Sequence, residues 1–179
     1  MAICRDSRGV STAEIRLARL EAEADVRRLV ARYMRLCDEP EPDETGAPFG
    51  DLFTEDAIWE GLGTKAGQEF KRVEGRATLL DWFATLRVPG SYFHKFNIHF
   101  LTSESIHVDD DCFGAEGSWT MFQTTLLADG HAELRMARII IRFRVDQDRW
   151  RIAHFTTRSL LKTGLSEQVA LAIAQGYSS

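Results

Sequence analysis

The chain has 179 residues, enough for about one domain with a core of its own, and its 44% hydrophobic and 27% charged content is that of an ordinary globular protein. A net charge of −5 with scattered basic residues argues against a nucleic-acid partner. No apolar run approaches the roughly 18 residues that span a bilayer, and the Met1–Arg8 start lacks the apolar centre of a signal peptide. Three cysteines, Cys4, Cys37 and Cys112, are too few and too far apart for a disulfide framework, so the expected compartment is the cytoplasm.

Ser11-Thr-Ala-Glu14 is a capping-box pattern that opens a first helix. Ile15, Ala18, Ala22, Val26, Leu29, Val30, Tyr33, Met34 and Cys37 then recur at helical spacing, and Glu39-Pro40 stops the helix near Asp38. An acidic loop over 38–48 follows, then a helical turn in Gly50–Asp56 and a brief strand at Ala57–Glu60. Gly61, Gly63 and Gly67 mark a turn, because neither their spacing nor a following Lys-Ser/Thr makes a phosphate cradle. Arg72–Gly75 leads into a second helix, Arg76–Leu86, ended by Val88-Pro-Gly90.

The remainder reads as strands: Tyr92–Val108, Cys112–Leu127, His131–Val145 and Trp150–Leu161, joined by the turns Asp109–Asp111, Ala128–Gly130 and Asp146–Asp148. Ser166–Gln175 reads as a C-terminal helix. Helices first and an antiparallel meander after give an α+β plan. Strands this long must bend, so the expectation is a strongly curved, mixed or antiparallel sheet wrapped around the N-terminal helices, conical, with an internal pocket for a small molecule. One domain is expected over 1–179, with its core in about 12–161 and a C-terminal helix and tail in 162–179.

Two segments stand out chemically. Tyr33-Met-Arg-Leu-Cys-Asp38 ends the first helix, and Asn97-Ile-His99-Phe-Leu-Thr lies on the first long strand. A phenol, a carboxylate and an imidazole brought to one pocket suffice for metal-free proton transfer near neutral pH. Tyr33 and Asp38 are about 140° apart on an ideal helix, so Asp38 must sit where the helix is unwinding. His94 and His107 cannot join His99 on a metal ion without a bulge, so no metal is expected. His154 shares parity with Trp150 and Arg158 on the last strand, where it either lines the pocket or packs. The aromatics Trp59, Trp82, Phe83, Phe96, Phe100, Trp119 and Phe122 are mostly core, some flooring an apolar pocket for a ring-bearing ligand. Arg135, Arg138, Arg142 and Arg144 look like one charge stripe, a solvated face or a dimer rim in preference to an anion site. Apolar residues of both parities, Phe96, Ile98 and Phe100 with Ile139, Ile140 and Ile141, suggest that a second subunit covers the outer sheet face, as a homodimer or homotrimer.

An ordered set of short motifs over about residues 20–160 resembles the SnoaL-like branch of the nuclear transport factor 2-like superfamily. It comprises Val26–Asp38, Leu52–Trp59, Val73–Arg76, Ile98–Asp109, Gly117–Trp119 and Arg149–Ile152. The resemblance implies a cystatin-like α+β barrel. In members resembling bile-acid dehydratase, a Tyr and an Asp on the first helix and a His on a strand form the catalytic group, which match Tyr33, Asp38 and His99. An Arg on the last strand implies Arg158 as a substrate contact, beside His154, Trp59 and Trp119.

On that basis His99 is the expected general base, Asp38 orients its ring, and Tyr33 donates a proton to a leaving hydroxyl or holds a carbonyl. The expected activity is a cofactor-independent lyase or isomerase, dehydratase-like, acting on a hydrophobic ring-bearing hydroxyl or carbonyl compound. A different class fits the same superfamily: a non-catalytic small-molecule binding protein, or a structural small subunit of a ring-hydroxylating oxygenase-type complex.

Overall fold

The computed structural model describes residues 11–39, 48–62, 72–86, 96–127 and 129–177. Most of the acidic loop (40–47), Gly63, Gly67, the Val88-Pro-Gly90 stop and His94 lie outside the described residues. Helix α1 spans Thr12–Asp38, with the expected capping box at Ser11 and Glu14. Its buried residues, Ala22, Val26, Val30, Tyr33, Met34 and Leu36, follow the apolar stripe of the sequence. A 3-10 turn at Phe49–Leu52 leads into β1, Phe53–Leu62, which is longer than expected because it gains partners on both sides. One of those partners is β2, Arg72–Glu74, a short strand that sequence reading took for the approach to α2, Arg76–Leu86.

Four long strands follow: β3 (Phe96–Val108), β4 (Gly114–Leu126), β5 (Ala132–Asp146) and β6 (Arg149–Gly164), then α3, Glu167–Tyr177. The sheet order is β2-β1-β6-β5-β4-β3. All neighbours are antiparallel except β1 and β6, which pair in parallel, so the sheet is mixed, and it is open. The β5–β6 hairpin turns on Gln147 and Asp148 with φ of 50° and 59°, the positive values a two-residue I′ turn demands. This is the α+β plan read from the sequence: long strands wrapped against α1 and α2 with the core between them.

Parity along the strands is set by bulges. Counting residues of β4 and β5 in strict alternation, Met121, Trp119, Ala137, Ile139, Ile141 and Phe143 face the helices. In β3, Thr102 pairs with Thr120 but Ser105 pairs with Ser118, so two residues of β3 oppose Trp119 and the face changes between them. In β6 the register shifts where Arg142 pairs with His154 and Phe143 with Ile152, which leaves Ala153 as the extra residue. A bulge turns every later side chain to the other face.

Ion pairs hold α1 to the sheet and its turn. Arg27 Nε lies 2.6 Å from Glu104 Oε1, and Arg19 Nη2 lies 2.5 Å from Asp110 Oδ1. Glu104 also accepts from the indole of Trp119 at 3.2 Å. Cys37 is half-buried and takes part in no disulfide. Among the described residues no helix is long and apolar enough to cross a membrane.

Candidate active site

Asp38 is the last residue of α1; the chain turns extended at Glu39, whose N–H still donates to Arg35 O at 2.7 Å. Ending the helix there frees the Asp38 side chain to reach β3, as the awkward spacing from Tyr33 required. Asp38 Oδ1 lies 2.5 Å from His99 Nδ1, and Asp38 Oδ2 accepts the backbone N–H of His99 at 3.0 Å. Asn97 Nδ2 donates to the same Oδ1 at 2.9 Å. The backbone N–H and the amide are obligate donors, so the carboxylate acts as an acceptor on both oxygens. In that arrangement Nδ1 of His99 is the donor, and in the neutral ring the lone pair lies on Nε2, away from Asp38. The two side chains keep only 12% (His99) and 14% (Asp38) of their surface in contact with solvent, which strengthens the hydrogen bonds between them.

Behind the pair stands a buried polar frame that sequence reading missed. Asn97 Oδ1 accepts from Gln123 Nε2 at 2.8 Å and from Thr125 Oγ1 at 3.0 Å. The sheet register explains it: His99 is paired with Gln123 and Asn97 with Thr125, all on the helix-facing side. Asn97, Gln123 and Thr125 are all buried. Arg135 continues this row on β5, opposite Gln123, and pairs with Glu133 at 3.0 Å, which Lys162 also approaches at 3.1 Å. It therefore does not share a face with Arg138, Arg142 and Arg144, contrary to the single stripe expected. The signal in the sequence was alternation: Asn97 and His99 are two apart, as are Gln123 and Thr125, polar residues on faces otherwise apolar.

The remaining expected residues divide. Tyr33 is buried, its ring 5.0 Å from Phe155, 5.9 Å from Phe49 and within 6.4 Å of Phe83, all centroid to centroid. Trp59 belongs to the same aromatic layer, stacked on Phe155 at 5.9 Å and 4.6 Å from Trp82, and its buried indole N–H has no hydrogen-bond partner among the described residues. Trp119 is a core residue instead: 2% exposed, its N–H taken by Glu104, its ring lying over Gly117.

His154 and Arg158 are not brought to the site. The bulge at Ala153 puts Trp150 and His154 on opposite faces, and His154 and Arg158 both pair with the outward residues Arg142 and Arg138. There His154 Nε2 meets Glu60 Oε1 at 2.8 Å, and Glu60 also takes Arg72 at 2.8 Å. Burial, the largest influence, pushes the Glu60 carboxyl up, but donation from Arg72 and His154 together outweighs it and holds the group below its ordinary value. The same effect of a bulge separates His107 from His99, whose parity it was expected to share. Among the described residues no three His, Cys, Asp or Glu side chains gather in a metal-binding group.

A sequence profile of the SnoaL-like domain matches residues 18–156. No curated protein matches the chain. Among solved structures, the hexachlorocyclohexane dehydrochlorinase LinA type 3 from Novosphingobium barchaimii is similar at a TM-score of 0.67 and 18% identity, covering 84% of this chain and 94% of its own. A protein provisionally titled scytalone dehydratase from Novosphingobium aromaticivorans gives 0.64 and 16%, covering 83% and 91%. A nuclear transport factor 2-like protein with a cystatin-like fold from the same species gives 0.60 and 21%, covering 84% and 90%. Identities this low speak for the fold, which is the cystatin-like cone expected from the motifs.

Proposed function

We propose that this chain, which belongs to the SnoaL-like domain family, is a cofactor-independent lyase or isomerase acting on a hydrophobic, ring-bearing hydroxyl or carbonyl compound. The observation that carries the reading is the contact between His99 and Asp38, with a carboxylate that only accepts and an imidazole whose Nε2 is free of that contact. His99 Nε2 takes a proton from carbon next to a carbonyl or activated ring position. Asp38 stabilises the imidazolium that results, as the orienting carboxylate does in hydrolase triads. Tyr33 donates its hydroxyl proton to a departing hydroxyl, or holds the carbonyl during a double-bond shift. Structural neighbours named as a dehydrochlorinase and, provisionally, a dehydratase support elimination as the reaction class.

The aromatic layer of Tyr33, Trp59, Trp82 and Phe155 suits a ring-bearing substrate, and Trp59 stays a candidate substrate contact. The test is turnover of a panel of hydroxylated ring ketones by the purified protein, followed by water loss or double-bond migration. Activity lost in His99→Ala with the fold intact supports the assignment; activity kept by that variant overturns it. Ligand binding without any turnover would move the chain to a non-catalytic binding protein or a structural small subunit.

The outer sheet face carries the partner part of the reading. Phe100, Phe122, Met136 and Leu161 lie in one register row across β3–β6, with Phe100 56% and Leu161 44% exposed. A second copy of the chain covers this row, as a homodimer or homotrimer. Cytoplasmic residence is a separate proposal, tested by cell fractionation.

A further inference from the structure

The dyad does not hold itself in place. Asp38 sits at the C-terminal end of α1, where the unsatisfied carbonyls and the helix dipole disfavour a carboxylate. Its side chain is nonetheless aimed at one point on β3. Two of the three donors that fix it come from His99 itself, through Nδ1 and the backbone N–H. The third, Asn97 Nδ2, is the one donor in this set that belongs to neither member of the dyad.

An Asn amide can turn over, presenting oxygen where nitrogen was. Here the turn is blocked from behind, because Gln123 Nε2 and Thr125 Oγ1 both donate to Asn97 Oδ1. Turning the amide would set Oδ1 against the Asp38 carboxylate and leave the buried Gln123 NH2 facing another NH2 group. An unmet buried donor is costly, so the frame has one satisfied state. Gln123 and Thr125 lie on β4, beside Asn97 on β3, and neither hydrogen-bonds Asp38 or His99 in this network.

We propose that Asn97 is a positioning residue for the His99–Asp38 pair: held by Gln123 and Thr125, it pins the Asp38 carboxylate to the point from which it orients the His99 ring. This rests on the reading of that pair as the catalytic dyad, and it assigns to β4 a role in the chemistry without substrate contact. Asn97 does not itself react.

The test reads the shared proton on Nδ1 of His99 in 15N-labelled protein by NMR, which needs no substrate. In the unaltered chain this proton is expected to be protected and visible at neutral pH, and its absence there already overturns the proposal. In Asn97→Ala it is expected to disappear into exchange with water while the backbone amide spectrum stays dispersed. A proton signal of unaltered intensity in Asn97→Ala overturns the proposal. Should Asn97→Ala fail to fold, the double variant Gln123→Met with Thr125→Val leaves Nδ2 present but unheld. The same signal is then expected to weaken, and its full retention is equally fatal. With a substrate in hand, the folded variant should lose on the order of 10- to 100-fold in kcat, since a misplacement of about 1 Å costs that much, with KM little changed. A chain without lyase activity would still pass or fail the NMR test, so the two readings fall separately.

Discussion

Asp38, the last residue of α1, and His99, the fourth residue of β3, meet at 2.5 Å although 61 positions separate them in the chain. One belongs to a helix terminus and the other to an edge strand, so the contact exists only because α1 packs across the concave side of β3. Its rigidity comes from both ends: Glu104 on β3 ties Arg27 of α1 about three turns upstream, and Asn97 ties Asp38 itself.

Asp38→Asn should keep the shape of the site while replacing one acceptor oxygen by a donor NH2. Three donors, His99 Nδ1, Asn97 Nδ2 and the His99 backbone N–H, then face one oxygen instead of two, so at least one of them meets the new NH2 group. Turnover is expected to fall by on the order of 10³–10⁴-fold, as when the orienting carboxylate of a hydrolase triad is neutralised. Steady-state kinetics on a substrate found in the ketone panel would check this, and a loss below tenfold would separate Asp38 from the chemistry.

Tyr33→Phe keeps the ring packed among Phe49, Phe83 and Phe155 and removes only the hydroxyl. The expected outcome is a kcat reduced by about 10²–10⁴-fold, the usual range for one acid–base group, in a variant whose circular-dichroism spectrum still shows the folded chain. Full activity would confine Tyr33 to the aromatic core.

Glu60 supplies a pH dependence of stability. Its carboxyl is held below the ordinary value of 4.5 in the folded chain by Arg72 and His154 against the opposing effect of burial. A depressed folded value means that the unfolded chain binds the proton first. The stabilising contribution is therefore complete above the ordinary value and is lost as the pH falls from there through the lower folded value. Urea unfolding at pH 7 and pH 3 should show a smaller acid loss for Glu60→Gln than for the unaltered chain; equal losses would assign the acid sensitivity to other carboxylates.

Gly117 is required by the ring of Trp119. A Cβ at position 117 would stand 2.2 Å from Cη2 of that ring, which is 2% exposed and anchored through Nε1 to Glu104. Gly117→Ala is expected to cost about 1–3 kcal/mol, the range for overpacking a filled core, read as a shift in the urea midpoint. An unshifted midpoint would mean that Trp119 has room to move.

Phe100→Asp and Leu161→Asp place charges at the two ends of the outward apolar row. If a second copy covers that row, each variant should lower the molar mass measured by light scattering on a sizing column while leaving the dyad intact. A chain already monomeric before substitution would end the proposal of an outer-face partner.

The sequence by itself determined the elements and the chemistry available to them. The capping box and apolar stripe define α1, Glu39-Pro40 sets its end, and the turn residues between apolar runs define β3–β6. Helical and strand periodicities are local, and local rules read them. The motif order sufficed for the SnoaL-like family, and the types and positions of Asp38 and His99 sufficed to expect a dyad. Tertiary structure decided which side chains meet. A single extra residue, Ala153, sends His154 and Arg158 to the outer face, and the shift between Thr102 and Ser105 does the same to His107. The strand β2 forms only because β1 offers it an edge, and Asn97 acquires its role only from the register that sets Thr125 and Gln123 beside it. Bulges and cross-strand register arise from pairing between distant segments under the strain of a curved sheet, so no periodicity within one segment records them.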